Sequence, residues 1–155
     1  MGRNNKKANE GEYTMIRLAT LEDAEQLFSL NERFNGKDET ELDKLKDSLS
    51  NNKQEVIVVA EEDNILVGFV CVQLKKSFCY SDYLPEITEV FVDENYRRRK
   101  IASKMIAFAE TYCKENYPLH KFELLTGKKN VNAQALYASL GYCGEGEIHL
   151  TKRFS

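Results

Sequence analysis

Apolar positions along this chain recur with two periods, and the changes between them mark its elements. The clearest change lies between Pro85 and Tyr117. Val90, Phe91 and Val92 form a continuous apolar run, the pattern of a strand covered on both faces. Asp93, Glu94 and Asn95 interrupt it, and after Tyr96 come four consecutive cations, Arg97, Arg98, Arg99 and Lys100. Ile101, Met105, Phe108 and Tyr112 then recur at helical spacing, which predicts an amphipathic helix buried along that stripe.

Similar patterns divide the rest of the chain. Residues 15–19 read as a first strand. Thr20 is placed as the N-cap of a helix with Glu22 and Asp23 in its first turn, where negative charge is favourable. Ala24, Leu27, Phe28 and Asn31 share a face, and Asn35-Gly36 ends that helix. A second helix is expected over residues 39–49, with Leu42, Leu45 and Leu49 as a thin, peripheral seam. Residues 56–60 and 65–74 predict an antiparallel hairpin turned at Asp63-Asn64, with Gly68 as its bulge. The loop over 75–84 carries Phe78, Tyr80 and Tyr83, which either meet a ligand or, more commonly, anchor the loop to the core. Residues 122–126 predict a strand. Asn130 caps a short helix ending near Leu140, Gly141 is its left-handed stop, and the alternation of Ile148 and Leu150 predicts a last strand over 147–152. The order amounts to an α/β (α+β) domain with a mixed sheet over residues 14–155, behind a polar tail at 1–13. The pattern begins near Met15, a candidate internal start.

Composition narrows the function classes. A chain of 155 residues suits one domain burying roughly 70% of its unfolded surface. No apolar run approaches the ~20 residues a membrane span needs, and no secretion signal opens the chain, so no membrane partner and a cytoplasmic location are expected. The net charge of −3 argues against a general nucleic-acid surface and suits a cationic substrate. Cys71, Cys79, Cys113 and Cys143 form no CxxC pair, and His120 and His149 are isolated, so no metal is expected. Cys71 and Cys113 read as buried or half-buried thiols.

Against this acidic average the basic run stands out by position. The helix macrodipole is positive at an N-terminus, so cations there oppose the local field. A bound anion relieves the conflict, because free backbone N–H groups, dipole and side chains then address one ligand. A solvated basic turn is the plainer alternative.

Arg97-Arg98-Arg99-Lys100-Ile101-Ala102, followed by Ser103, resembles the acetyl-CoA signature of the GNAT superfamily of N-acetyltransferases. That motif runs Gln or Arg, two variable residues, Gly, one variable residue, then Gly or Ala, after the fourth strand. Lys100 stands at the glycine position and is expected to offer its N–H with a negative φ. A second block, Asn130-Val131-Asn132-Ala133-Gln134-Ala135-Leu136-Tyr137 with Leu140-Gly141-Tyr142, is similar to the family's second signature. The resemblance implies a largely antiparallel mixed sheet of roughly six to seven strands with about four helices. It implies an acetyl-CoA-dependent transferase in which Arg97, Arg98, Arg99, Lys100, Ile101, Ala102 and Ser103 hold the pyrophosphate. The backbone around Phe91, at Val90 and Val92, would pair with the pantetheine arm. Asn130, Ala133 and Tyr137 would complete the cofactor site.

Acetyl transfer to an amine needs a base, a polarised carbonyl and a proton for the departing thiolate. Glu89, beside the apolar run, is the candidate base, acting directly or through water. A cation-binding or lysine-paired carboxylate is the alternative, and Glu86 is a weaker candidate. Tyr137, placed at the start of the short helix, is the candidate proton donor, or else a core aromatic. The expected acceptor is a primary amine of a small cationic or aminoglycoside-like molecule, in a protein for which a homodimer is allowed. The alternatives are a protein N-terminus or lysine as acceptor, a CoA-binding sensor without turnover, and a nucleic-acid module.

Overall fold

The computed structural model describes residues 13–155; of the expected tail at 1–13, residues 1–12 lie outside the described residues. The elements are β1 (Met15–Leu18), a 3-10 turn (Leu21–Asp23), α1 (Ala24–Asn35), α2 (Leu42–Asn51), β2 (Glu55–Glu62), β3 (Ile65–Lys75), β4 (Leu84–Val92), a second 3-10 turn (Glu94–Tyr96), α3 (Ile101–Asn116), β5 (Glu123–Leu124) and α4 (Val131–Ser139). The fold is mixed α/β. Its five-stranded sheet runs in chain order, antiparallel from β1 to β4, with β5 parallel to β4. Two compact units result: the first ends at Leu125 and the second covers Thr126–Ser155.

In the first unit the sheet buries both faces. Leu27 and Leu30 of α1 pack with Val59, Phe69 and Phe91 on one face, with Leu45 and Leu49 of α2 beside them. On the other face Met105, Ile106, Ala109 and Cys113 of α3 are buried. Gly68 explains how closely these layers approach. A Cβ there would stand 2.7 Å from Phe91 O and 3.1 Å from Met105 Cε. Asp63 and Asn64 turn the β2–β3 hairpin with φ of 50° and 64°, the left-handed pair that matches strand twist.

Several expectations are corrected. The sheet has five strands, not six or seven, because residues 147–152 form no strand. Alternation marks a face but supplies no ladder partner, and Ile148 and Leu150 remain 81% and 85% exposed. The strand over 122–126 shrinks to Glu123–Leu124. α2 starts at Leu42 rather than residue 39. The buried stripe of α3 is Ile101, Met105, Ile106, Ala109 and Cys113, rotated from Phe108 and Tyr112, which are half-buried. Gly68 is not itself the bulge: Ala60 pairs with Gly68 and Glu61 with Leu66, leaving Val67 as the extra residue. Phe78 is fully exposed and Tyr80 largely so, and only Tyr83 packs inward, 5.1 Å from the Tyr117 ring.

Candidate active site

The site grows from how β4 is paired. Cys71 faces Glu89 and Val72 faces Ile87, so Thr88 is an extra residue, a bulge immediately before Glu89. Beyond it the Asp93 N–H donates to Val67 O at 2.8 Å. Antiparallel alternation then turns the backbone of Phe91 toward β3 and that of Val90 and Val92 toward the opposite edge. β5 meets that edge only at Glu86 and Ile87. β5 stops at Leu124, so past Ile87 the backbone groups of Val90 and Val92 face an edge that no strand closes among the described residues. Arg97 already reaches it, donating from Nε to Val92 O at 3.1 Å.

Asp93 ends the strand and fixes the turn into the basic run. It is buried, its Oδ1 accepts from Asn95 N–H at 3.0 Å, and Arg33 of α1 pairs with it. Neither Asp93 nor Arg33 was a candidate by sequence, although Asp before a turn was a readable signal. The basic run then adopts an alternating backbone. Arg98 and Lys100 are left-handed, with φ of 64° and 60°, while Arg97 is extended. The negative φ expected at Lys100 is therefore corrected: the lysine takes the conformation a glycine would take. Such alternation turns successive N–H groups into one concave nest for an anion.

α3 opens directly from that nest. Its first intrahelical bond is Lys104 N–H to Lys100 O at 3.0 Å, so the N–H groups of Ile101, Ala102 and Ser103 have no helical partner. No acid stands in its first turn. The cations are not equivalent. Arg99 reaches Glu62 at 3.4 Å and lies over the Tyr96 ring at 5.1 Å, whereas Arg98 and Lys100 are exposed. Backbone N–H groups, dipole and cations thus fit a diphosphate.

Glu89 is half-buried on the same sheet face as Phe91, and burial raises its pKa above the ordinary carboxylate value. It meets no cation among the described residues. Glu86 differs: Lys75 stands 3.5 Å away. The buried Cys113 thiol is pushed up to about 11 by burial, which makes it a weak nucleophile.

The second unit holds the remaining candidates. Asn130 caps α4, its Oδ1 accepting from Ala133 N–H at 3.2 Å. Tyr137 lies in the last turn of α4, not at its start as expected. It is half-buried with its ring 6.3 Å from Tyr142, and burial raises its phenol, which favours the protonated form.

Residues 20–142 match the acetyltransferase (GNAT) family. The chain belongs to that family. It is therefore a GNAT-type acyltransferase, and solved structures agree on the fold. An aminoglycoside acetyltransferase from an uncultured soil metagenomic sample, crystallised with trehalose, superposes with a TM-score of 0.82 at 21% identity, covering 93% of this chain and 98% of its own. The aminoglycoside acetyltransferase AAC(6')-Iy, bound to a CoA-acetylneamine bisubstrate analogue, gives 0.79 at 18% identity over 92% and 99%. A ribosomal-protein-alanine N-acetyltransferase from Brucella melitensis biovar Abortus 2308 gives 0.77 at 17% identity over 90% and 99%. The comparison with curated proteins finds no match. No helix among the described residues is long and apolar enough to cross a membrane.

Proposed function

We propose that this GNAT protein transfers the acetyl group of acetyl-CoA to a primary amine of a small cationic molecule, by direct attack. One observation carries the reading: the free edge of β4 at Val90 and Val92 runs straight into a left-handed basic nest at the start of α3. A ligand with an amide-bearing arm and a diphosphate matches that succession of groups. The pantetheine amides pair with the β4 edge, displacing Arg97 from Val92 O, and the diphosphate takes the N–H groups of residues 101–103. Arg97, Arg98 and Lys100 neutralise its charge, and Asn130 and Ala133 of the second unit are proposed for the cofactor from their motif positions.

Glu89 takes a proton from the acceptor ammonium, directly or through water. The freed nitrogen lone pair attacks the thioester carbonyl, an amide C–N bond forms, the nitrogen sheds its second proton to water and the C–S bond breaks. The departing CoA thiolate takes a proton, a role proposed for the Tyr137 phenol of the second unit from its motif position. A raised Glu89 pKa brings the base closer to neutral pH, where proton transfer is most effective. Glu89 also shares its sheet face with Glu55, whose pKa its charge helps to raise. Two such carboxylates favour a cationic acceptor, in keeping with two of the similar structures being aminoglycoside acetyltransferases.

The test is CoA release from acetyl-CoA across a panel of aminoglycosides, diamines, monoamines and a peptide with a free N-terminus. Turnover of a small cationic amine supports the reading. Tight CoA binding with no release for any acceptor rejects transfer in favour of a sensor, and turnover of the peptide alone reassigns the acceptor.

A further inference from the structure

A second constellation lies where β1 leaves β2. Their last bond joins Ala19 N–H to Ile57 O at 2.9 Å. By strand alternation the Glu55 carbonyl turns to the same side, beyond the end of β1. A cavity of about 370 Å³ opens there. Glu55 lines it together with Ser48 and Leu49 of α2, Tyr112 of α3 and Tyr117 just past that helix, while Lys53 stands exposed at the rim.

The charge pattern says what the cavity wants. Of the glutamates on the sheet, Glu61 is held by Arg17, Glu62 by Arg99, and Glu86 and Glu123 by Lys75. Glu55 and Glu89 alone meet no cation among the described residues. Both point to the face that carries α1 and α2, staggered across β3, where Glu55 faces Gln73 and Glu89 faces Cys71. Burial raises Glu55, and the Glu89 charge raises it further. A half-buried carboxylate, a carbonyl past the end of β1 and tyrosine rings with hydroxyls form one preference: an N–H-rich cation.

We propose that this cavity is a subsite for a second ammonium group of the acceptor, received by Glu55 while the reacting nitrogen stands at Glu89. The proposal rests on the transfer reading and adds a specificity-determining residue to it. Two strand spacings and a two-residue stagger put the Cα positions of Glu55 and Glu89 roughly 12 Å apart, before the side chains shorten the gap. A diamine or longer polyamine spans that distance; a monoamine does not.

The test compares n-butylamine, 1,4-diaminobutane and spermidine with wild type and Glu55→Gln, by kcat/KM and by calorimetric binding in the presence of CoA. Glu55→Gln is expected to cut kcat/KM for the two polyamines about 10- to 100-fold, the loss of a charge-assisted contact, and to leave n-butylamine within about twofold. Ser48→Lys, which places a tethered ammonium in the cavity, should reproduce the same split. Equal loss for all three amines, or loss for none, overturns the subsite and leaves the transfer reading intact. If no amine is acetylated, binding decides. A tenfold drop in polyamine affinity on substitution keeps the subsite and excludes only these three amines as acceptors, whereas polyamine binding that is absent or unchanged rejects the subsite.

Discussion

Two charged regions of the first unit obey opposite rules. At the corner between β1 and α1 the less exposed charges are matched. Arg17 donates to Asp23 at 2.7 and 2.8 Å and to Glu61 at 2.9 Å, and Asp23 also accepts from Thr20 N–H at 2.8 Å. The guanidinium holds the Asp23 carboxyl below the usual carboxylate range. A second set of charges is unmatched among the described residues: Glu55 of β2 and Glu89 of β4 meet no cation, and Arg98 and Lys100 crowd a positive helix end in left-handed conformations. Charges satisfied within the chain hold its shape, while those left facing an opening are the ones proposed to meet a ligand. Arg99 sharpens the contrast. It sits in the basic run, yet its pairing with Glu62 and its place over Tyr96 give it the character of the first region.

The largest effect expected from breaking this contrast is on turnover. Glu89→Gln should lower kcat by about 10²- to 10³-fold with acetyl-CoA affinity unchanged, the range for loss of a general base. Because burial raises Glu89, the active carboxylate forms only as pH rises through a value above the ordinary one. The wild-type rate should therefore fall as pH drops through that value, and the variant should lose this limb. A variant that keeps the limb removes Glu89 as the base.

The matched corner should respond in stability instead. Asp23→Ala leaves Arg17 with Glu61 alone as its carboxylate partner and removes the bond to Thr20, a loss of about 2–3 kcal/mol by urea unfolding, with residual turnover per folded molecule near wild type. The pH signs of the two regions are opposite. The folded-state pKa of Asp23 is lowered, so its stabilisation is present above the unfolded carboxylate pKa and is lost as pH falls through the folded value. Those of Glu55 and Glu89 are raised, so their relative contribution is full below the unfolded pKa and is lost as pH rises through the folded one. Glu55→Gln should accordingly stabilise near neutral pH and gain nothing in acid.

Much of this was legible in the chain itself, and the gaps have physical causes. The apolar runs in β2, β3 and β4 read directly as strands because both of their faces are covered. The turns at Asp63-Asn64 and Gly36 read from residue type. The bulge at Thr88 did not, since nothing in its side chain marks an extra residue in a ladder. Nor did the open edge at Val90 and Val92, which depends on where β5 stops, a pairing between distant segments. The stripe on α3 was misjudged because spacing alone does not choose between Phe108 and Ile106 when both faces carry apolar residues. Glu89 and the basic run were legible as chemistry, but which arginine is already engaged depends on Glu62, a residue far away in sequence.

Within the basic run, Arg97→Ala with Arg98→Ala should weaken acetyl-CoA binding about 10- to 30-fold, the loss of one or two charge-assisted contacts, and flatten its salt dependence. Arg99→Ala should do less to affinity and more to thermal stability, since its partners lie within the chain. Equal effects on affinity from both would dissolve the distinction between engaged and waiting cations.

The smallest effect bears on the nest itself. Lys100 holds φ at 60°, which costs a residue with a Cβ roughly 1 kcal/mol, while glycine adopts it freely. Lys100→Gly should therefore raise stability by up to about 1 kcal/mol, less whatever glycine loses to its greater unfolded freedom. The two roles of the position separate in binding. The N–H groups that line the nest stay in place, and only one exposed charge is removed, so CoA affinity should fall by no more than about threefold. Lys100→Ala keeps the strain and removes the same charge. It should bind CoA like the glycine variant yet unfold with wild type, below Lys100→Gly, by calorimetry. If the alanine and glycine variants melt together, backbone conformation is not what the position stores, and the lysine charge alone accounts for its place beside the helix.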